Sequence, residues 1–179
     1  LRAHGAGAAL LAALLGLSGC GYALVGKGTA TDPTIKRIGV PTFKDMTAKP
    51  ALDQKITQKV IEELLKRGHF DVVQTATGVD ALVEGELVSY AVVPVGFSDD
   101  GTGENKTQAS RYAISLTARV KYSKVGQEEP IWSSDSFQFR DEYDIGSDPA
   151  TFFDREDQAL ERLATSFARN LVAAMLEAF

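Results

Sequence analysis

Few residues in this chain could attack, ligate or shuttle a proton. Its 179 residues include one cysteine, Cys20, and two histidines, His4 and His69. His69 stands where a helical pattern ends, after Gly68, and a lone imidazole there reads as a cap or surface group rather than a base. Zinc sites built from several His or Cys ligands are excluded by the same count. Nucleophilic catalysis needs an activated Ser, Cys or Lys beside a positioned base, and with one histidine in a poor place such constellations are scarce. Glu62 and Glu63 lie on the polar side of a helical pattern. Asp141, Glu142 and Asp144 lack the spacing of a calcium loop. Gly21-x-x-x-x-Gly26-Lys27 approaches a phosphate-binding loop, but Gly28 stands where a Ser or Thr would hold magnesium, and Asp32-Pro33 stands where the helix should start. No catalytic residue, cofactor or metal is expected.

Cys20 is the residue whose position does suggest chemistry. Leu17-Ser18-Gly19-Cys20 closes an apolar run from Ala6 to Leu17. A membrane span needs about 20 such residues. With Arg2 and His4 before the run and small residues after it, residues 1–19 read as a secretory signal peptide. The closing tetrapeptide resembles the lipobox of bacterial lipoproteins. That resemblance implies a thioether-linked diacylglycerol on Cys20, cleavage before it and acylation of the new amine. Several acyl chains anchor firmly where one is marginal, at about 0.8 kcal/mol per buried methylene. Gly21 replaces the Asp that favours inner-membrane retention in enterobacterial lipoproteins, which implies an outer-membrane address. Residues 20–33, with Gly21, Gly26, Gly28 and Pro33, read as the lipidated cysteine and a tether.

The remainder, residues 34–179, reads as one domain. The 44% hydrophobic and 24% charged content of the whole 179-residue chain is that of a globular protein. A domain of this size buries roughly 70% of its unfolded surface without a disulfide or metal. The net charge of −5 argues against broad nucleic-acid binding.

Ile35, Ile38, Val40 and Phe43 mark a first strand, and Pro50 suits a first helical position. Leu52, Ile56, Val60, Ile61, Leu64 and Leu65 recur at helical spacing, with Lys55, Gln58, Lys59, Glu62 and Glu63 opposite. A short strand follows over Phe70 to Gln74. Ala81, Val83, Gly85, Leu87, Ser89, Ala91 and Val93 suggest one small, buried face of a long strand. Ser98 to Gln108 reads as an exposed hairpin loop. Tyr112, Ile114, Leu116, Ala118, Val120 and Tyr122 then alternate with polar residues, the cleanest period-two signal present. Ile131 to Arg140 is a further strand, and the phase shift between Trp132 and Phe137 predicts a bulge or a twist. Asp141 to Ser147 reads as an acidic turn. A last helix, capped by Asp148 or Thr151, carries the stripe Phe153, Leu160, Leu163, Ala164, Phe167, Leu171, Met175 and Ala178.

Two amphipathic helices need an apolar surface, and the strands supply one. The expected fold is α+β. It is a two-layer sandwich with both helices on one face of a mixed four- to five-stranded sheet, in the order strand-helix-strands-helix. The other sheet face stays free for a partner or ligand, with Arg111, Arg119, Lys121, Gln138 and Arg140 on or beside it.

A resemblance then joins these pieces. The chain carries Cys20-Gly21-Tyr22-x-Leu24-x-Gly26 and Ile35-Lys36-x-Ile38-x-Val40-Pro41-x-Phe43, then Ile56-Thr57 and Arg67-Gly68. Further on come Gly85-Glu86-Leu87-x-Ser89-Tyr90, Ser110-Arg111-Tyr112 and Phe139-Arg140-Asp141-Glu142-Tyr143. The tail holds Ala159-Leu160-x-Arg162-Leu163-Ala164 and Phe167-Ala168. In order and spacing these resemble the lipopolysaccharide-assembly lipoproteins of the LptE type. The resemblance implies an outer-membrane lipoprotein facing the periplasm. Such a protein is non-catalytic, sits with a large β-barrel translocon of the LptD type, and binds lipopolysaccharide. Basic side chains facing lipid A phosphates are the physical requirement, and Arg111, Arg119 and Lys121 are the candidates.

Two other readings compete. The opening Ile38-Gly39-Val40-Pro41-x-Phe43 followed by an amphipathic helix also resembles envelope adaptor lipoproteins that activate peptidoglycan synthases. A hydrolase is the third, and it suffers from the scarcity of nucleophile–base pairs.

Overall fold

A computed structural model describes residues 32–67, 70–99, 107–145 and 152–177. Cys20, the signal peptide 1–19, nearly all of the tether, His69 and positions 100–106 of the expected loop lie outside the described residues.

The expected first strand is two strands. β1 (Arg37–Gly39) and β2 (Lys44–Asp45) are separated around Pro41, whose ring supplies no N–H for a ladder. Both lie parallel to β4 (Ala81–Asp99). β1 pairs with its start and β2 further along, with Lys44 opposite Glu86. Between β2 and β4 in sequence come α1 (Leu52–Lys66) and β3 (Asp71–Val73), and β3 pairs parallel with β1. A long antiparallel meander completes the sheet: β4, β5 (Thr107–Lys124) and β6 (Trp132–Asp144). The order β3-β1-β4-β5-β6, with β2 beside β4, makes a mixed six-stranded sheet. α2 (Phe152–Leu176) follows.

Both helices bury their stripes in one cluster with the even-numbered side chains of β5. Leu52, Ile56, Val60 and Leu64 of α1 meet Leu160, Leu163, Phe167, Leu171 and Met175 of α2, and Ile114, Leu116, Ala118 and Tyr122 of the sheet. Phe137 and Phe139 of β6 pack edge-on against Phe167. Lys55 and Lys59 of α1 both reach Glu161 of α2, at 3.0 and 2.5 Å.

Several expectations change. Pro50 precedes α1 rather than opening it. Ala51 stands before Leu52 with a left-handed φ of 57° and no side-chain cap. Leu65 is exposed, and the residue that packs on the core at the start of α2 is the partly buried Phe152, not Phe153. The strands of the hairpin run on to Asp99 and back from Thr107, so the connection is shorter than Ser98 to Gln108. Asp141 to Asp144 are not a turn. They close β6 against Ile114 to Arg111.

β4 departs most from its pattern. Val88 is an extra residue: Leu87 pairs with Ala118 and Ser89 with Thr117. The bulge reverses which side chains face the helices. Before it, Ala81, Val83 and Leu87 are core; after it, Tyr90 and Val92 take that side. The bulge expected in β6 is present, where Ala118 pairs with Phe137 and Val120 with Ser134.

Candidate functional site

The sheet face turned away from the helices presents its side chains in rows across β4, β5 and β6. Cross-strand partners share a face, so the register sets the order. Glu84, Lys121 and Ser133 form one row, and Glu86 and Arg119 the next. Then come Ser89, Thr117 and Gln138; Ala91, Ser115 and Arg140; Val93, Ala113 and Glu142; and last Gly96, Arg111 and Asp144. All five expected residues, Arg111, Arg119, Lys121, Gln138 and Arg140, lie here.

The three basic candidates do not form one cluster. Arg119 and Lys121 are neighbours. Arg111 is eight residues from Arg119, about 27 Å along the strand at roughly 3.4 Å per residue. Their electrostatic states also differ. Arg119 pairs with Glu86, and its Nε lies 3.7 Å from Asp135. Arg111 Nε donates to Asp144 Oδ1 at 2.8 Å, which raises the Arg111 pKa further above its ordinary value. Lys121 makes no ion pair among the described residues, although Glu84 stands opposite it in the register.

Glu86 sits at the junction of two strands. Lys44 of β2 donates to its Oε1 at 3.1 Å, and Arg119 of β5 binds its Oε2. Lys44, and behind it Arg119, hold the Glu86 carboxyl below the ordinary carboxylate range. Arg140 Nη2 reaches Glu142 Oε1 at 3.0 Å. The open face is therefore a set of internally balanced ion pairs, with Lys121 as its cation outside a pair.

Between these pairs the side chains are short. Ser89, Ala91, Ser115, Thr117, Gln138, Phe139 and Arg140 line a shallow depression of ≈ 350 Å³. Ser89 and Ala91 face it only because Val88 is bulged. The sequence hides the reversal, because Ala91 and Val93 keep apolar residues at odd positions beyond Leu87. The carboxylates Glu86, Asp135 and Asp144 were not legible as partners, because each lies on a different strand from its arginine.

A second hollow of ≈ 350 Å³ lies beside the start of α2. It is lined by Gln108, Ala109, Tyr112, Ile145, Phe152 and Phe153. Among the described residues no group of His, Cys, Asp and Glu could hold a metal ion, and no helix is long and apolar enough to cross a membrane.

The family model for LptE, lipopolysaccharide-assembly, matches residues 35–175. No curated protein matches the sequence. Solved structures do resemble it. The hypothetical protein CT253 from Chlamydia trachomatis is 8% identical, with a TM-score of 0.52 over 80% of this chain and 97% of that one. Protein XCC0632 from Xanthomonas campestris is 12% identical, with a TM-score of 0.51 over 80% and 85%. The rare lipoprotein B from Shewanella oneidensis is 15% identical, with a TM-score of 0.49 over 79% and 95%. At such identities the first two speak to the fold alone.

Proposed function

The chain belongs to the lipopolysaccharide-assembly family of LptE, and from that premise we propose that it is a non-catalytic lipoprotein subunit of an outer-membrane lipopolysaccharide translocon. In this reading residues 1–19 are removed, Cys20 carries the lipid, and residues 20–33 tether one domain on the periplasmic side. That domain docks with a β-barrel of the LptD type and binds lipopolysaccharide. No nucleic acid and no cofactor take part.

The observation that carries the reading beyond family membership is the division of the sheet into two faces. One face is consumed by α1 and α2. The other displays charged and hydroxyl side chains over three long strands, which suits a wet contact rather than a second core. Lys121 is the best placed contact for an anionic phosphate. Arg119 and Arg111 must first exchange a carboxylate for it.

The test is affinity capture of the tagged full-length protein from detergent-extracted membranes. The expected result is co-purification of an outer-membrane barrel in a one-to-one complex. Recovery of the protein without a barrel, or with a peptidoglycan synthase in its place, overturns the reading. Cys20→Ser is expected to leave the domain folded and lower its membrane association in cells that lack the barrel.

A further inference from the structure

We propose that the depression at the centre of the open face is a binding site for a neutral, hydroxyl-rich ligand, a saccharide. Its floor is made by short side chains on adjacent strands, Ala91 opposite Ser115 and Ser89 opposite Thr117. Gln138, Phe139 and Arg140 of β6 form one wall. The hydroxyls and the amide each donate and accept hydrogen bonds, and the guanidinium donates. Sugar hydroxyls, which also do both, match that set. An acyl chain does not, because it would strip these groups of water and return no hydrogen bond.

Charge decides against an anion at the same place. Arg119 is held by Glu86 and faces Asp135, and Arg140 is held by Glu142. Two guanidinium groups thus stand among three carboxylates. A phosphate seated between them would have to displace a carboxylate from each arginine and sit beside the third. A neutral ligand displaces nothing. Lys121 lies one row beyond Arg119, so an anionic group on the same molecule would find its cation outside the depression.

The assignment of the sugar to lipopolysaccharide rests on the reading given above; the site itself does not. In that setting the depression takes the glycan portion, and the phosphorylated portion lies toward Lys121 or beyond the face.

The test is titration of the detergent-solubilised full-length protein, by calorimetry and saturation-transfer NMR. The first probe is a lipid-free, dephosphorylated oligosaccharide released from lipopolysaccharide. The second is inorganic phosphate, and the third is a peptidoglycan-derived disaccharide. The expected result is binding of the oligosaccharide, no competition by phosphate, and a loss of about tenfold or more in Ser115→Phe, the equivalent of one or two hydrogen bonds. Thr117→Val, nearly isosteric, is expected to weaken binding without filling the hollow, and thermal melts of both variants report their folding. No binding to the wild type, an unchanged affinity in folded Ser115→Phe, or displacement by phosphate overturns the proposal. Binding of the peptidoglycan disaccharide alone keeps a saccharide site and overturns its assignment to lipopolysaccharide. Barrel capture by wild-type protein is scored separately, so failure of the translocon reading is distinguishable from failure of the site.

Discussion

Phe43 lies flat over the backbone of Gly85, so that a side chain at position 85 would overlap three carbons of the ring. The same residue is tied to α1: its N–H donates to Thr57 Oγ1 at 2.9 Å, and that hydroxyl donates to the carbonyl of Asp53 at 2.7 Å. The entry to β2, the first turns of α1 and the middle of β4 therefore meet at one point. Gly85→Ala must push the ring away and strain that junction. It is expected to cost about 1–3 kcal/mol, as for other overpacked cores. A lower denaturant midpoint with an unchanged slope is the reading that fits.

A second junction is polar. The Glu156 carboxylate, buried at the start of α2, accepts from Lys49 Nζ at 2.6 Å and from the Tyr90 hydroxyl at 2.8 Å. Burial, and then the bond to Glu156, raise the Tyr90 phenol well above its usual value. Glu156→Ala leaves a partly buried ammonium and a phenol without their acceptor, at an expected cost of about 2–4 kcal/mol. Glu156→Gln keeps an acceptor and should cost less. Equal losses in equilibrium unfolding would show that the negative charge contributes nothing.

How much of this could be read in advance depended on whether a strand keeps its phase. From Tyr112 to Tyr122, β5 has no extra residue, and its alternation named both faces correctly. β4 contains the Val88 bulge, so a reading by odd and even positions put Ser89 and Ala91 inside when they line the open depression. The end of β6 was hidden for another reason. Asp141 and Asp144 look like turn residues, but Arg162 of α2 holds Asp141 at 2.9 Å and Arg111 of β5 holds Asp144. Strand propensity is weak against such partners. The basic candidates were placed on the right face by alternation alone. Their neutralisation was not legible, because it depends on register between strands far apart in sequence.

The N-terminal edge of the domain should be sensitive to acid. Lys124 donates to Asp32 Oδ2 at 2.6 Å, and Thr34 donates through its hydroxyl and its N–H. The Lys124 bond first, then those from Thr34, lower the Asp32 pKa from its ordinary 3.8 to about 2. A carboxyl depressed in the folded state stabilises it above the unfolded pKa and loses that contribution as pH falls through the folded one. The clamp is thus intact above about pH 4 and is released toward about pH 2. Asp32→Asn is expected to melt lower than wild type at neutral pH, with the difference shrinking across that window. A constant difference in melting temperature would count against the clamp.

Ala51 offers a gain rather than a loss. Its φ of 57° is one that glycine adopts freely and a residue with a Cβ does not. No side-chain hydrogen bond compensates at this helix start. Ala51→Gly is expected to raise stability by about 0.5–1 kcal/mol, the strain it removes exceeding the added freedom of the unfolded chain. Thermal unfolding of the single variant tests it.

Arg119 and Lys121 should behave differently toward lipopolysaccharide although they are neighbours on one strand. Arg119 and Lys44 share Glu86, so Arg119→Ala removes a cation and leaves the more exposed carboxylate with Lys44. Binding to lipopolysaccharide micelles at low salt is expected to fall about three- to tenfold, mostly through the exposed carboxylate. If so, Arg119→Ala combined with Glu86→Gln returns binding to near the wild-type level, because one cation and one anion have gone and Lys44 loses its carboxylate. Lys121 makes no ion pair among the described residues, and its loss is not repaired by Glu86→Gln. The two cycles share a partner and a face, so the difference between their coupling energies isolates the effect of the pair. A failure of Glu86→Gln to rescue Arg119→Ala would place the guanidinium itself on the ligand, and the carboxylate would then be what the phosphate replaces.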